Sequence, residues 1–113
     1  MTVERAGNRY GGCMIVAFSV SPSAGDETGG VSEAVARAVR VVEESGLPYE
    51  LNSMFTNVEG SWDEVMDVVK RATEAAGVGA SRVGLVIKAD IRPGYESGQL
   101  SGKVDRVRDW LGD

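Results

Sequence analysis

The chain's 113 residues include no histidine and a single cysteine, Cys13. The commonest general base is therefore missing, and no histidine or cysteine cluster can hold zinc or iron. The remaining acid–base groups are carboxylates and Lys88, and nothing in their spacing marks a reaction. Lys88 and Asp90 stand two apart, which puts both on one face of a strand; Ser19 and Ser21 repeat that spacing earlier. Asn52, Thr56 and Glu59 fall in one short stretch between them. Glu59-Gly60-Ser61 leads straight into a helix start, so its carboxylate suits a structural acceptor as well as a ligand contact. Asp26-Glu27 and Glu43-Glu44 read as solvated charges, and no metal site is assigned. Gly77-Val78-Gly79 followed by Gly84 precedes a strand and does not make a dinucleotide fingerprint.

The charge balance narrows the partners. Twelve Lys and Arg against seventeen Asp and Glu give a net charge of −5, which disfavours nucleic acid, where affinity comes mostly from phosphate neutralisation. No apolar run approaches a membrane span; the longest, Cys13–Val20, is strand length. The stretch MTVER lacks the apolar core of a signal peptide, and a lone thiol fits a cytoplasmic protein. Residues 1–12 read as a flexible polar tail, and residues 13–113 as one domain.

These residues must be carried by a few elements. Cys13–Ser21 is rich in β-formers and ends at Pro22, a buried strand. SPSAGDETGG is a loop by composition. Val31, Val35, Ala38 and Val42 then repeat with helical spacing, until Gly46 and Pro48 stop the helix. Tyr49–Met54 and Phe55–Glu59 are short strands. Ser61-Trp62-Asp63-Glu64 is a capping box opening a helix with Trp62, Val65, Met66, Val69, Ala72 and Ala76 on one face. Ser81–Ile91 is a fourth strand, and Leu100, Val104, Val107 and Leu111 mark a short C-terminal helix. The order is an α+β, ferredoxin-like βαββαβ sandwich with one added helix.

Right-handed crossovers put two helices on one side of the sheet and leave the other side bare. Alternation turns Val16, Phe18, Val20, Tyr49, Leu51, Val58, Leu85 and Ile87 toward the helices. It leaves Ile15, Ala17, Ser19, Ser21, Glu50, Asn52, Met54, Asn57, Glu59, Val86, Lys88 and Asp90 on the open face. That mixed face suits a sheet-to-sheet oligomer interface, a ligand site, or both. Trp62 and Tyr49 read as core anchors. The RNA recognition motif shares this element order, but it presents aromatics in a basic surround. Here the central strands present Ser19, Asn57 and Glu59, so that reading fails.

The segments MIVAFSVSPSAGDETGGVSEAVARAVRVVEESGLPYELNSMFTNVEGSWDEVMDVVKRA and SRVGLVIKADIRP resemble the family of small thiamine-binding proteins. The most specific pieces are Ser19-Val20-Ser21-Pro22, Glu44–Leu51, Thr56 with Val58–Met66, and Ile87-Lys88-Ala89-Asp90. The resemblance implies a ferredoxin-like subunit, a homotetramer formed through sheet faces, and binding of thiamine (vitamin B1) or its hydroxymethylpyrimidine portion. It also carries a departure, since the family pattern has glycine where this chain has Phe55, and a β-branched residue near Asn57.

Under that resemblance the candidate ligand-binding residues are Ser19, Ser21, Asn52, Thr56, Glu59, Lys88 and Asp90. A carboxylate or side-chain amide matches the amino group and ring nitrogens of an aminopyrimidine, which suits Glu59 and Asn52. Thr56 bonds the ligand or pairs across the hairpin. Ser19 and Ser21 orient the heterocycle or permit close stacking of sheets. Lys88 and Asp90 form an ion pair, or Asp90 balances a cationic thiazolium while Glu50 or Asp90 neutralises Lys88. The expectation is a non-catalytic small-molecule binder with no cofactor. A ligand-free structural or regulatory oligomer is the alternative.

Overall fold

β-Branched and aromatic residues from Met14 to Pro22 form the long strand β1, whose alternate side chains are buried. The computed structural model describes residues 12–23, 31–94 and 97–112, so the expected tail, apart from Gly12, and residues 24–30 lie outside it. Helix α1 (Ser32–Ser45) ends at Gly46, whose φ of 79° takes the left-handed conformation that glycine tolerates best. Strands β2 (Tyr49–Leu51) and β3 (Thr56–Gly60) form a hairpin, followed by helix α2 (Trp62–Ala76). The capping box at its start is formed: Glu64 N–H donates to Ser61 Oγ at 3.3 Å, and Ser61 N–H to Glu64 Oε1 at 3.0 Å. Strand β4 (Val83–Ile91) and helix α3 (Gln99–Leu111) complete the chain.

The sheet runs β2-β3-β1-β4 with every neighbouring pair antiparallel, the ferredoxin-like arrangement expected from the element order. Val16, Phe18, Val20 and Val58 from its centre meet Ala34, Ala38 and Val42 of α1 and Val65, Val68, Val69, Ala72 and Ala76 of α2 in one core. The inward face of α1 is thus shifted from the expected one: Ala34 is buried, whereas Val31 is exposed at the N-cap. On α2, Val68 replaces Trp62 in the buried set. Trp62 is exposed because it occupies the first helical position, outside the turns that overlie the sheet.

Edge strands behave differently from central ones. Register places Leu85 opposite Val20 and Ile87 opposite Phe18, on the helix face as expected. Both nonetheless remain 39% exposed, because α1 and α2 lie mainly over the two central strands and β4 joins the core through Val83 and Ile91 at its ends. Tyr49 and Leu51 of β2 are exposed at the opposite edge for the same reason.

The largest departure concerns the face expected to be bare. Glu59 lies opposite Ile15 on that face, and its carboxylate accepts from Gln99 N–H at 2.8 Å and Leu100 N–H at 3.3 Å. The first turn of α3 is therefore drawn onto the side of the sheet away from α1 and α2. Leu100, Lys103 and Val104 of α3 share a cavity there with Ile15, Ala17, Asn57 and Lys88. The helix covers part of the open face yet contributes no buried residue of its own.

Candidate functional site

Strand lengths define the first site. β1 pairs with β4 over its whole length, Met14 to Pro22, but with β3 only from Met14 to Phe18. Past Phe18 its other edge faces the β2–β3 turn instead of a strand. Ser23 N–H donates to Arg82 O at 2.8 Å, continuing the Pro22–Val83 register by one step. Hydrogen-bonded pairs alternate along an antiparallel ladder, so Ser21 and Ser19 bond to β4. The N–H and C=O of Val20 consequently point the other way, into the gap that β3 leaves.

That gap is a cavity of about 280 Å³. Its walls include Phe18, Val20 and Val39, with Ser19 and Ser21 along β1 and the whole turn from Asn52 to Thr56. Asn52 builds the turn. Its N–H donates to Phe55 O at 3.0 Å, while its side-chain oxygen accepts from Met54 N–H and Phe55 N–H, each at 2.8 Å. Among the described residues no non-glycine has a positive φ, so this two-residue turn lacks the left-handed pair that hairpins favour. The Asn52 side chain supplies the closure instead. Strand β2 accordingly stops at Leu51 rather than running on to Met54.

Thr56 is the buried polar group of this cavity. Only 6% of its surface is exposed, and its hydroxyl has no hydrogen-bond partner among the described residues. Buried hydroxyls nearly always have a partner, in the protein, in water or in a ligand. Phe55, half-buried in the same wall, adds an aromatic surface.

Four of the seven sequence candidates, Ser19, Ser21, Asn52 and Thr56, therefore meet at one cavity. By alternation the Ser19 and Ser21 side chains project to the face opposite Phe18 and Val20, so these serines border it through β1 itself. The main chain of Val20 is the group that residue-type reasoning missed. Its signal is the early end of β3 relative to β1, which only the pairing reveals.

The other three candidates lie elsewhere. Glu59 is 1% exposed and has both carboxylate oxygens occupied by the amides of α3. It is an acceptor at a helix start, as one reading of the sequence has it, but the helix is α3 rather than α2. Lys88 and Asp90 line a second cavity, of about 240 Å³, between α3 and the sheet, and it shares no residue with the first. Asp90 is bound by Lys103 Nζ and lies 3.9 Å from Arg92 Nε. The Lys103 hydrogen bond holds the Asp90 carboxyl below its ordinary value, helped by the charges of Lys103, Arg92 and Lys88 and opposed by desolvation. The ion pair expected of Asp90 thus exists, with Lys103 instead of Lys88 as partner.

A larger concavity of about 470 Å³ runs along the outer side of α1 to Leu51, but it contains none of the seven candidates. Among the described residues no cluster of three or more His, Cys, Asp or Glu is placed to hold a metal ion. Among them also, no helix is long and apolar enough to cross a membrane.

Fold and cavities define the class: a ferredoxin-like α+β domain with ligand-sized cavities against its sheet. The model of the thiamine-binding protein family matches residues 16–108, and the chain belongs to that family. It is 48% identical over 99 residues to the UPF0045 protein Mb1933 of Mycobacterium bovis, covering 87% of this chain and 94% of that one. A solved structure of a domain of unknown function (DUF77) from Bacillus cereus superposes with a TM-score of 0.76 at 38% identity, covering 90% of this chain and 96% of that one. A Thermotoga maritima structure, of a protein provisionally assigned to thiamine biosynthesis or salvage, gives a TM-score of 0.70 at 28% identity, covering 84% and 98%. The family is named for binding, not for a reaction.

Proposed function

We propose that the protein is a homo-oligomer that binds thiamine or its hydroxymethylpyrimidine moiety, without catalysis, in the cavity between the end of β1 and the β2–β3 turn. The observation that carries this reading is the unmet polar edge inside an aromatic wall: the Val20 N–H and C=O with the buried Thr56 hydroxyl. A 4-aminopyrimidine edge presents an amino donor beside a ring-nitrogen acceptor, the complement of a single residue's C=O and N–H on a strand edge. Phe18 and Phe55 offer the apolar surface that a flat ring requires. At about 280 Å³ the cavity lies just below the usual range of ligand sites, roughly 300–1,000 Å³, and suits one heterocycle better than a diphosphate ester. Membership of a thiamine-binding family and the thiamine assignment of the Thermotoga relative support the same ligand.

Apolar surface argues for association of copies. Val107, Trp110 and Leu111 on α3 and Val86 on β4 are all exposed, Trp110 at 91%. Exposed large apolar side chains in such number are a common mark of an interface where they adjoin. Since α3 lies on the face expected to be bare, the copies meet through α3 and β4 and not by simple stacking of naked sheets.

Thermal shift and calorimetry with thiamine, its phosphates and hydroxymethylpyrimidine test the ligand. A ligand of the native state at a hundred times its dissociation constant adds about 2.7 kcal/mol of stability. Thr56→Val keeps the side-chain shape and removes the hydroxyl. It should weaken binding about tenfold, the equivalent of one hydrogen bond of roughly 1.4 kcal/mol, with no loss of stability in the free protein. No shift with any of these compounds would favour the ligand-free structural or regulatory oligomer.

A further inference from the structure

The second cavity has a chemistry that thiamine binding does not use. Register places Glu50 of β2, Asn57 of β3, Ala17 of β1 and Lys88 of β4 in one row across the face beneath α3. With strands about 4.8 Å apart, the row runs roughly 14 Å from the backbone of β2 to that of β4. Ala17 leaves the middle of the floor low, and Leu100 and Val104 of α3 roof it with apolar side chains. The resulting slot has apolar Ile15 and Ala17 on one side, Leu100 and Val104 on the other, and charged groups toward its ends.

Among the described residues the β4 end carries more cations than carboxylates. Lys88, Arg92 and Lys103 all act on Asp90, and Lys103 and Arg92 already engage it. The Lys88 ammonium forms no salt bridge among the described residues. Glu50, the other acid of the cavity, stands three strands away. A cation entering this end would find its one carboxylate occupied. An anion would find an uncommitted lysine in a locally positive field, although the whole chain carries a net charge of −5.

We propose that the slot between α3 and the sheet is a second binding site, for a planar organic anion whose phosphate or carboxylate group meets Lys88 while its ring lies between Ala17 and the Leu100–Val104 roof. Lys103 adds long-range attraction, and Asn57 offers an amide to a polar ring substituent. This site is independent of the cavity at the β2–β3 turn, so either can fail without the other.

Amide chemical-shift titration of the full chain tests it, with phenyl phosphate and benzoate as anionic probes, benzyl alcohol as the neutral ring, and inorganic phosphate as the bare anion. The expected result is saturable shifts at Ala17, Asn57, Lys88, Leu100 and Val104 with the aromatic anions. Their affinity should be at least about fivefold above either half-probe. Whichever anion binds more tightly identifies the headgroup the site prefers. Lys88→Gln, on an exposed position that leaves the fold unchanged, should lower the affinity about fivefold to tenfold, and added salt should weaken wild-type binding. Equal affinity for benzyl alcohol, unchanged affinity in Lys88→Gln, or shifts confined to other surfaces would each overturn the proposal.

Discussion

Glu59→Gln separates the docking of α3 from the stability of the rest of the molecule. The wild-type carboxylate accepts two main-chain N–H bonds at the first turn of a helix that buries none of its own residues. Bonds to a charged acceptor contribute about 1.5–3 kcal/mol each, against roughly 0.5–1.5 for neutral ones. Glutamine keeps the volume but loses the charge, and it turns an NH2 group toward one of the two donors. The helix dipole loses its compensating anion as well, for about 0.3–1 kcal/mol. Relief of the carboxylate's desolvation offsets part of this sum. A net loss of about 2 kcal/mol in the docking of α3 is the result, or about thirtyfold in its opening equilibrium.

Native-state hydrogen exchange reads that quantity directly, because it reports the opening free energy of each segment. Amides from Gln99 to Leu111 should exchange about thirtyfold faster in the variant, while those of β1 and α2 change by less than about threefold. Uniform acceleration across both sets would mean that Glu59 supports the core globally. Unchanged exchange in α3 would mean that the two hydrogen bonds do not hold the helix. Either result refutes the account of α3 as a helix tethered from a distance.

Two further outcomes follow from the same geometry. Asp90→Asn should cost under about 1 kcal/mol near neutral pH, since its side chain is 38% exposed and screened by water. The folded carboxyl is lowered below 3.8, so its stabilisation is present above that value and lost as pH falls through the lower folded value; the melting gap between wild type and variant should persist down to 3.8 and close only at more acidic pH. Light scattering after gel filtration should give a multiple of 12.0 kDa for the wild type. Val107→Asp combined with Leu111→Asp should reduce that mass, whereas a monomeric wild type at tens of micromolar would refute association through α3.

Local signals carried most of the fold. The apolar run of β1, the stop at Gly46 and Pro48, and the Ser61–Glu64 capping box each act within a few residues, and each appears where the sequence puts it. The position of α3 was not legible, because its anchor is forty residues away in the chain. Its N-cap residue, Gly98 with a φ of 93°, has no side chain to mark the start in the sequence. Glu59 could be read from sequence only against its neighbour α2. That helix start is already satisfied by Glu64, which leaves the Glu59 carboxylate for α3. Exposure of Leu85 and Ile87 was hidden for a related reason: alternation fixes a side chain's face, not whether a helix reaches the strand above it.

The candidate site was legible in its residue types and not in its grouping. Ser19, Ser21, Asn52 and Thr56 gather because a nine-residue β1 is paired on one side with a nine-residue β4 and on the other with a five-residue β3. The same short strand explains the opposite end. β3 finishes at Gly60 and turns through Ser61 into α2, and Glu59 lies one position beyond the Val58–Tyr49 pair that ends the β2 ladder. There Glu59 N–H donates to Pro48 O at 3.0 Å, and its carboxylate accepts from the first turn of α3. The mismatch between β1 and β3 thus opens a polar edge at one end of β3, while Glu59 near its other end tethers a helix on the opposite face. The main-chain groups of Val20 owe their direction to this pairing and not to their side chain. In the proposed site their direction is therefore independent of the side chains of the surrounding wall, Phe55 among them.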